Sequence, residues 1–79
     1  MKKVTIYSTP TCHYCKEAKA FFAKNNIEYT TKDVATNKEF ADEMIAKSHQ
    51  MGVPVIDIDG QISVGFDESN LRALLDIKN

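Results

Sequence analysis

The sequence predicts an α/β fold of the order β-α-β-α-β-β-α, with a four-stranded mixed sheet between helices in a three-layer α/β/α sandwich. Three observations predict it. Short runs rich in β-branched and aromatic residues alternate with longer stretches whose apolar residues recur at spacings of three and four. The first two such runs are separated by a helix-length stretch, the form of a right-handed crossover between parallel strands. The last two flank Asp59-Gly60, a pair suited to the positive backbone angles of a two-residue hairpin turn.

Val4, Thr5, Ile6 and Tyr7, followed by the breaker Pro10, predict a first strand over residues 2 to 8. Cys15, Ala18, Phe21 and Phe22 form one apolar stripe, while Lys16, Glu17, Lys19 and Lys24 lie mostly off it; Asn25-Asn26 ends this first helix. Residues 27 to 34 alternate loosely around Tyr29, Thr30 and Thr31 and predict a second strand, parallel to the first. Thr36 and Glu39 have capping-box spacing, and Phe40, Ala41, Met44, Ile45 and Ser48 continue an inward face, so a second helix follows. Residues 53 to 58 and 61 to 64 make the antiparallel pair. Gly65, Phe66, Asp67, Glu68 and Ser69 supply a turn and an acidic helix start, and Leu71, Leu74 and Leu75 the stripe of a third helix.

A chain of 79 residues is read as one domain, residues 1 to 79, with room for one core and one site. Its 43% hydrophobic and 27% charged residues can build that core without a metal or structural disulfide, and exclude disorder. Ten basic against eleven acidic residues leave a formal charge of -1, hence no general attraction to nucleic acid or an anionic membrane. Small or protein substrates fit better. The basic start precedes only a short strand-like run, too brief for a signal-peptide core or a membrane span, so a cytoplasmic protein is expected.

The two cysteines stand three positions apart, a spacing used for catalysis or metal rather than for stapling a secreted fold. Cys12 falls at the start of the first helix. There the unsatisfied N–H groups and the positive end of the helix dipole favour a thiolate over a thiol. Cys15 lies one turn further in, near enough for a disulfide yet more shielded. The spacing therefore points to thiol-disulfide exchange, with Cys12 attacking and Cys15 resolving. A stabilised thiolate gains little as a nucleophile but leaves readily when a mixed disulfide is attacked. The competing reading is a zinc half-site with His13 and His49 as further ligands. It lacks a second Cys-x-x-Cys, and His13 lies between the two cysteines. His13 either stabilises the Cys12 thiolate as an imidazolium or is merely exposed. Tyr14 either packs beside substrate or covers the helix base, and Tyr7 is read as sheet packing.

Residues 6 to 15 (Ile-Tyr-Ser-Thr-Pro-Thr-Cys-His-Tyr-Cys), then Gly52-Val53-Pro54, then Gly65-Phe66-Asp67, resemble the three signature regions of the glutaredoxins across essentially the whole chain. The resemblance implies the thioredoxin fold, with the strands ordered second, first, third, fourth. It implies a cis bond before Pro54 and a Val53 backbone opposite Cys12, free to pair with an extended peptide substrate. Without the family, Pro54 would read only as a strand-initiating proline. The turn of Gly65, Phe66, Asp67 and Glu68 would offer helix N–H groups to the γ-glutamyl carboxylate of glutathione, with Asp67 meeting its amino group. The plain alternative for Asp67 is an N-cap, and both roles can hold at once.

Three departures stand out. Ser8 and Thr9 occupy the loop where glutaredoxins often carry a lysine, and Lys47 or Gln50 are the candidate replacements. Val64-Gly65 stands where Gly-Gly is usual, and His13 where proline is common. The resemblance implies a monomeric dithiol glutaredoxin that reduces protein disulfides and glutathionylated thiols, serving electron transport and cell redox homeostasis. Glutathione is its reductant and co-substrate, with no bound cofactor and no metal. Two alternatives remain: a redoxin reduced by thioredoxin reductase that serves ribonucleotide reductase, and a non-enzymatic dimer holding an iron-sulfur cluster through Cys12 and glutathione.

Overall fold

The structure, a computed structural model, describes residues 3 to 77. Its elements are β1 (Val4–Ser8), α1 (His13–Lys24), β2 (Thr30–Asp33), α2 (Lys38–Ser48), β3 (Val55–Ile58), β4 (Gln61–Val64) and α3 (Glu68–Leu75). The sheet order is β2-β1-β3-β4, with β1 and β2 parallel and the other two pairs antiparallel. This is the expected thioredoxin-fold arrangement.

β1 is central, and all five of its residues are buried because both faces of the sheet are covered. Side chains alternate across a strand, so Val4 and Ile6 of β1 share one face with Ile56 and Ile58 of β3. There they meet Ala18, Phe21 and Phe22 of α1 and Leu71 of α3. Tyr7 and Val55 point the other way and meet Met44 of α2. The three layers follow from this two-sided core.

The four residues of the predicted α1 stripe are its four buried ones. The helix ends where Asn25 donates to the Phe21 carbonyl from Nδ2 and Asn26 takes φ 57, the left-handed value asparagine tolerates. In the β3–β4 hairpin both Asp59 (φ 50) and Gly60 (φ 92) adopt positive φ, as the two-residue turn requires.

Several boundaries differ from the sequence reading. β1 begins at Val4, and the expected residue 2 lies outside the described residues. β2 begins at Thr30 rather than residue 27, because the Ile27 N–H donates to the Phe22 carbonyl at 2.8 Å and keeps that segment wrapped on the end of α1. β3 begins at Val55, after a proline that has no N–H for the ladder. The cap of α2 is Asn37, not Thr36: Asn37 has extended angles (φ -127, ψ 106) and its Oδ1 accepts the Phe40 N–H at 3.2 Å. Both residues are good caps, and the helix starts one residue later than the capping box proposed. On α2 only Met44 is buried, while Phe40, Ala41, Ile45 and Ser48 are half-buried.

Phe22 is fully buried between the sheet and α1. Phe22→Ala is expected to cost about 3–5 kcal/mol, a large share of the roughly 4–8 kcal/mol available to a chain this small. A urea titration followed by circular dichroism should show its midpoint falling by half or more.

Candidate active site

The chain leaves β1 at Ser8 and enters α1 through a four-residue turn in which the Cys12 N–H donates to the Thr9 carbonyl at 3.3 Å. Pro10 holds the second turn position, where its fixed φ suits the geometry. Cys12 is then the N-cap of α1, with φ -81 and ψ 116. Its Sγ accepts the N–H of Cys15 at 3.1 Å, so sulfur fills the place that a serine or aspartate oxygen usually takes. Its carbonyl accepts the first helical N–H, from Lys16. The sulfur is partly exposed and sits at the positive end of the helix with a backbone donor aimed at it.

Cys15 belongs to the apolar stripe of α1 and is 1% exposed. Burial pushes its thiol up to about 12, and its hydrogen bond with the Cys12 side chain adds to this; the Thr9 backbone and the Lys19 ammonium act in the opposite direction. The pair is thus graded, an accessible sulfur with a donor in front of a buried thiol held protonated.

Beside the turn lies the segment before β3. Tyr7 pairs with Val55, so the register brings Pro54 opposite Ser8, the last residue of β1 before the turn. The Val53–Pro54 bond is cis, as the resemblance implied. Pro54 is buried and its carbonyl accepts the Gly65 N–H at 2.8 Å, joining this segment to the turn that leads into α3. Val53 precedes the ladder, and among the described residues its backbone N–H and C=O have no hydrogen-bond partner. Gly65 has φ 76, a conformation that disfavours any residue with a Cβ.

The sequence matches the glutaredoxin family profile over residues 4 to 63. This chain belongs to the glutaredoxin family. It is 42% identical over 73 residues to a glutaredoxin-like 8.6 kDa protein of the rubredoxin operon of Clostridium pasteurianum, spanning 92% of this chain and 97% of that one. Glutaredoxin 3 of Escherichia coli K12 is 35% identical over 68 residues, spanning 86% of this chain and 82% of the relative. Among solved structures, a thioredoxin-like protein superposes with a TM-score of 0.91 at 31% identity, covering 99% of this chain and 100% of its own. Family membership and the Cys12–Cys15 pair make the chain a thiol-disulfide oxidoreductase.

The other residues of the glutaredoxin signatures hold varied positions. His13 is 77% exposed in its side chain and lies 3.4 Å from the Glu17 carboxylate, with its ring edge on Tyr14. It points along the helix surface to Glu17. Tyr14 is 59% exposed, so it does not cover the helix base. Phe66 packs its ring against Phe21 of α1, 5.9 Å between centroids. Asp67 is the N-cap of α3, accepting the Asn70 N–H at 3.2 Å, and Glu68 pairs with Arg72 at 3.1 Å. Val64 is cross-strand from Val55 and 52% exposed. Among the described residues no three His, Cys, Asp or Glu side chains converge in a way that could hold a metal, and no helix is long and apolar enough to cross a membrane.

The two candidate replacements for the missing lysine are engaged elsewhere. Gln50 folds back on its own loop, donating to the Gly52 carbonyl at 2.9 Å and accepting the Gly52 N–H at 2.7 Å. Lys47 donates to Asp57 at 2.6 Å and to the Tyr7 hydroxyl at 3.0 Å, while Tyr7 donates to Glu43 and Lys32 pairs with Glu43 at 2.8 Å. This chain of charges links β2, α2, β1 and β3 on the α2 side of the sheet. It borders a cleft of about 390 Å³ that also includes Lys3, Thr5, Asp59 and Gly60, and neither cysteine. Tyr7 is sheet packing with its hydroxyl satisfied, as expected. Lys19, expected mostly off the apolar stripe, is half-buried. The available signal was its position four residues after Cys15.

Two outcomes follow. Iodoacetamide at pH 7 should modify Cys12 and leave the buried, protonated Cys15 about a hundredfold slower, as read by peptide mass mapping. The second concerns Asp57, where burial pushes the carboxyl up but the hydrogen bonds from Lys47 and the Gly60 N–H hold it below the usual carboxylate range. A lowered folded-state value contributes stability that is complete above the unfolded value of about 3.9 and lost as pH falls through the folded one. Asp57→Asn should therefore lower stability at pH 7 by about 1 kcal/mol or less and flatten the acid side of the stability-pH curve below about pH 4.

Proposed function

We propose that this protein reduces protein disulfides and glutathione mixed disulfides, with glutathione as the reductant and co-substrate. The observation that carries the reading is the Cys12 sulfur capping α1 with Cys15 buried behind it. Cys12, as thiolate, attacks the glutathionyl sulfur of a glutathionylated thiol. A Cys12–glutathione disulfide forms, and the substrate thiolate leaves and takes a proton. A second glutathione then attacks the glutathionyl sulfur and releases the Cys12 thiol and oxidised glutathione, or Cys15 attacks the Cys12 sulfur, releasing glutathione and closing the Cys12–Cys15 disulfide. Glutathione reduces that disulfide in turn. The reaction needs no resident metal or cofactor, and it fits a monomer working in the cytoplasm.

Substrate binding is supported by the open N–H and C=O of Val53, which suit an extended peptide, and by the turn of Gly65, Phe66, Asp67 and Glu68. In that turn Asp67 is already an N-cap, and its carboxylate keeps acceptor capacity for an amino group.

One observation favours a second electron source. The loop before Cys12 has no lysine, and Lys47 and Gln50 are occupied by Asp57, Tyr7 and Gly52, so glutathione loses one carboxylate anchor. Reduction by thioredoxin reductase, with electrons passed to ribonucleotide reductase, is the reading this favours. Turnover with glutathione and glutathione reductase, compared with turnover with thioredoxin reductase, separates the two.

The test of the main reading is reduction of a glutathionylated peptide by the parent, Cys12→Ser and Cys15→Ser proteins. Cys12→Ser should lose all activity, and Cys15→Ser should keep the reaction with glutathione mixed disulfides while losing reduction of protein disulfides. Activity surviving in Cys12→Ser would refute it.

A further inference from the structure

Lys19 lies one turn beyond Cys15, about 40° around the helix from it, at the edge of the stripe of Cys15, Ala18 and Phe22. It is half-buried, whereas Lys16, Glu17 and Ala20 beside it are exposed. Among the described residues, the half-buried Lys32 is matched to Glu43, and the more exposed Lys47 to Asp57. Lys19 is not: among the described residues it has neither an ion pair nor a hydrogen bond from its ammonium. Four residues apart on α1, Lys19 and Cys15 are side-chain neighbours on the helix surface, and the positive charge of Lys19 opposes the upward push that burial gives the Cys15 thiol.

An ammonium without a counter-ion gains an attractive partner when a neighbour turns negative. Cys15 turns negative in only one step. While Cys12 is a free thiolate its charge opposes ionisation of Cys15, but once Cys12 is bound in a mixed disulfide that opposition is gone. What remains in favour of a Cys15 thiolate is the Thr9 backbone and Lys19.

We propose that Lys19 is a positioning residue for the resolving step, its ammonium stabilising the Cys15 thiolate from which that sulfur attacks Cys12. The inference rests on the thiol-disulfide reading above. In the step, the bond between Cys12 and the substrate sulfur breaks, and the Cys12–Cys15 bond forms. The electron pair leaves with the substrate sulfur, which takes up the proton that Cys15 gave up. Lys19 transfers nothing; it keeps its proton and supplies a fixed positive charge one turn from the attacking atom.

The experiment loads Cys12 with oxidised glutathione and follows closure of the Cys12–Cys15 disulfide by rapid acid quench and mass spectrometry. Lys19→Gln should slow closure about three- to tenfold, equivalent to half to one unit of thiol acidity, and Lys19→Arg should restore it. In the Cys15→Ser background, removal of glutathione from Cys12 by external glutathione should proceed at one rate with either Lys19 or Lys19→Gln. Closure of Lys19→Gln at the parent rate would overturn the proposal. So would an equal slowing in the Cys15→Ser background, which would mark a general structural role. A Cys12 that never takes up glutathione would instead remove the functional reading itself, and this inference with it.

Discussion

The site depends on one hydrogen bond, from the Cys15 N–H to the Cys12 sulfur at 3.1 Å. The first N–H groups of any helix lack intrahelical partners, and a side-chain acceptor at the cap usually satisfies one of them. Here that acceptor is the more exposed sulfur of the cysteine pair. The helix start, the direction of the sulfur and the position of Cys15 are consequently set together. A serine oxygen in the same place could cap the helix and would lack the redox chemistry, so structural and chemical demands on position 12 are separable.

The surroundings hold this cap in place from two sides. β1 ends at Ser8, buried against its neighbours, and Pro10 fixes the turn that follows. On the far side, Pro54 lies across the register from Ser8 and is tied through its carbonyl to Gly65. Asn70 of α3 donates to the buried Ser63 hydroxyl at 3.0 Å, fastening the third helix to β4 just before that turn. Three separate stretches of sequence thus converge at one end of the sheet, where backbone groups rather than charged side chains supply most of the polarity.

Much of this was legible in the sequence because it is local or periodic. The α1 stripe repeats at helical spacing and faces a core, and Asp59-Gly60 permits a tight hairpin whatever surrounds it. The cysteine pair carried the chemistry by spacing alone, and three motifs in register carried the family. What stayed hidden was set by choice between equals or by distant partners. Thr36 and Asn37 are both good caps, and only the structure decides between them. The target of Lys47 is an aspartate on β3 and a tyrosine hydroxyl on β1, neither of which helical position could reveal. Lys19 sits at the rim of the stripe, where helical spacing alone does not decide how much of it is covered.

The edge strand β2 has a further bearing on how these molecules meet one another. Thr30 and Thr31 expose polar side chains along it, and Lys32 is drawn inward over the Tyr7 and Phe40 rings by Glu43. A sheet edge normally offers unpaired N–H and C=O groups to any passing chain. On this one, a stacking strand gains no apolar strip to rest on and meets an anchored cation midway. Edge-to-edge fusion of one copy of this chain with another is disfavoured on that side of the sheet.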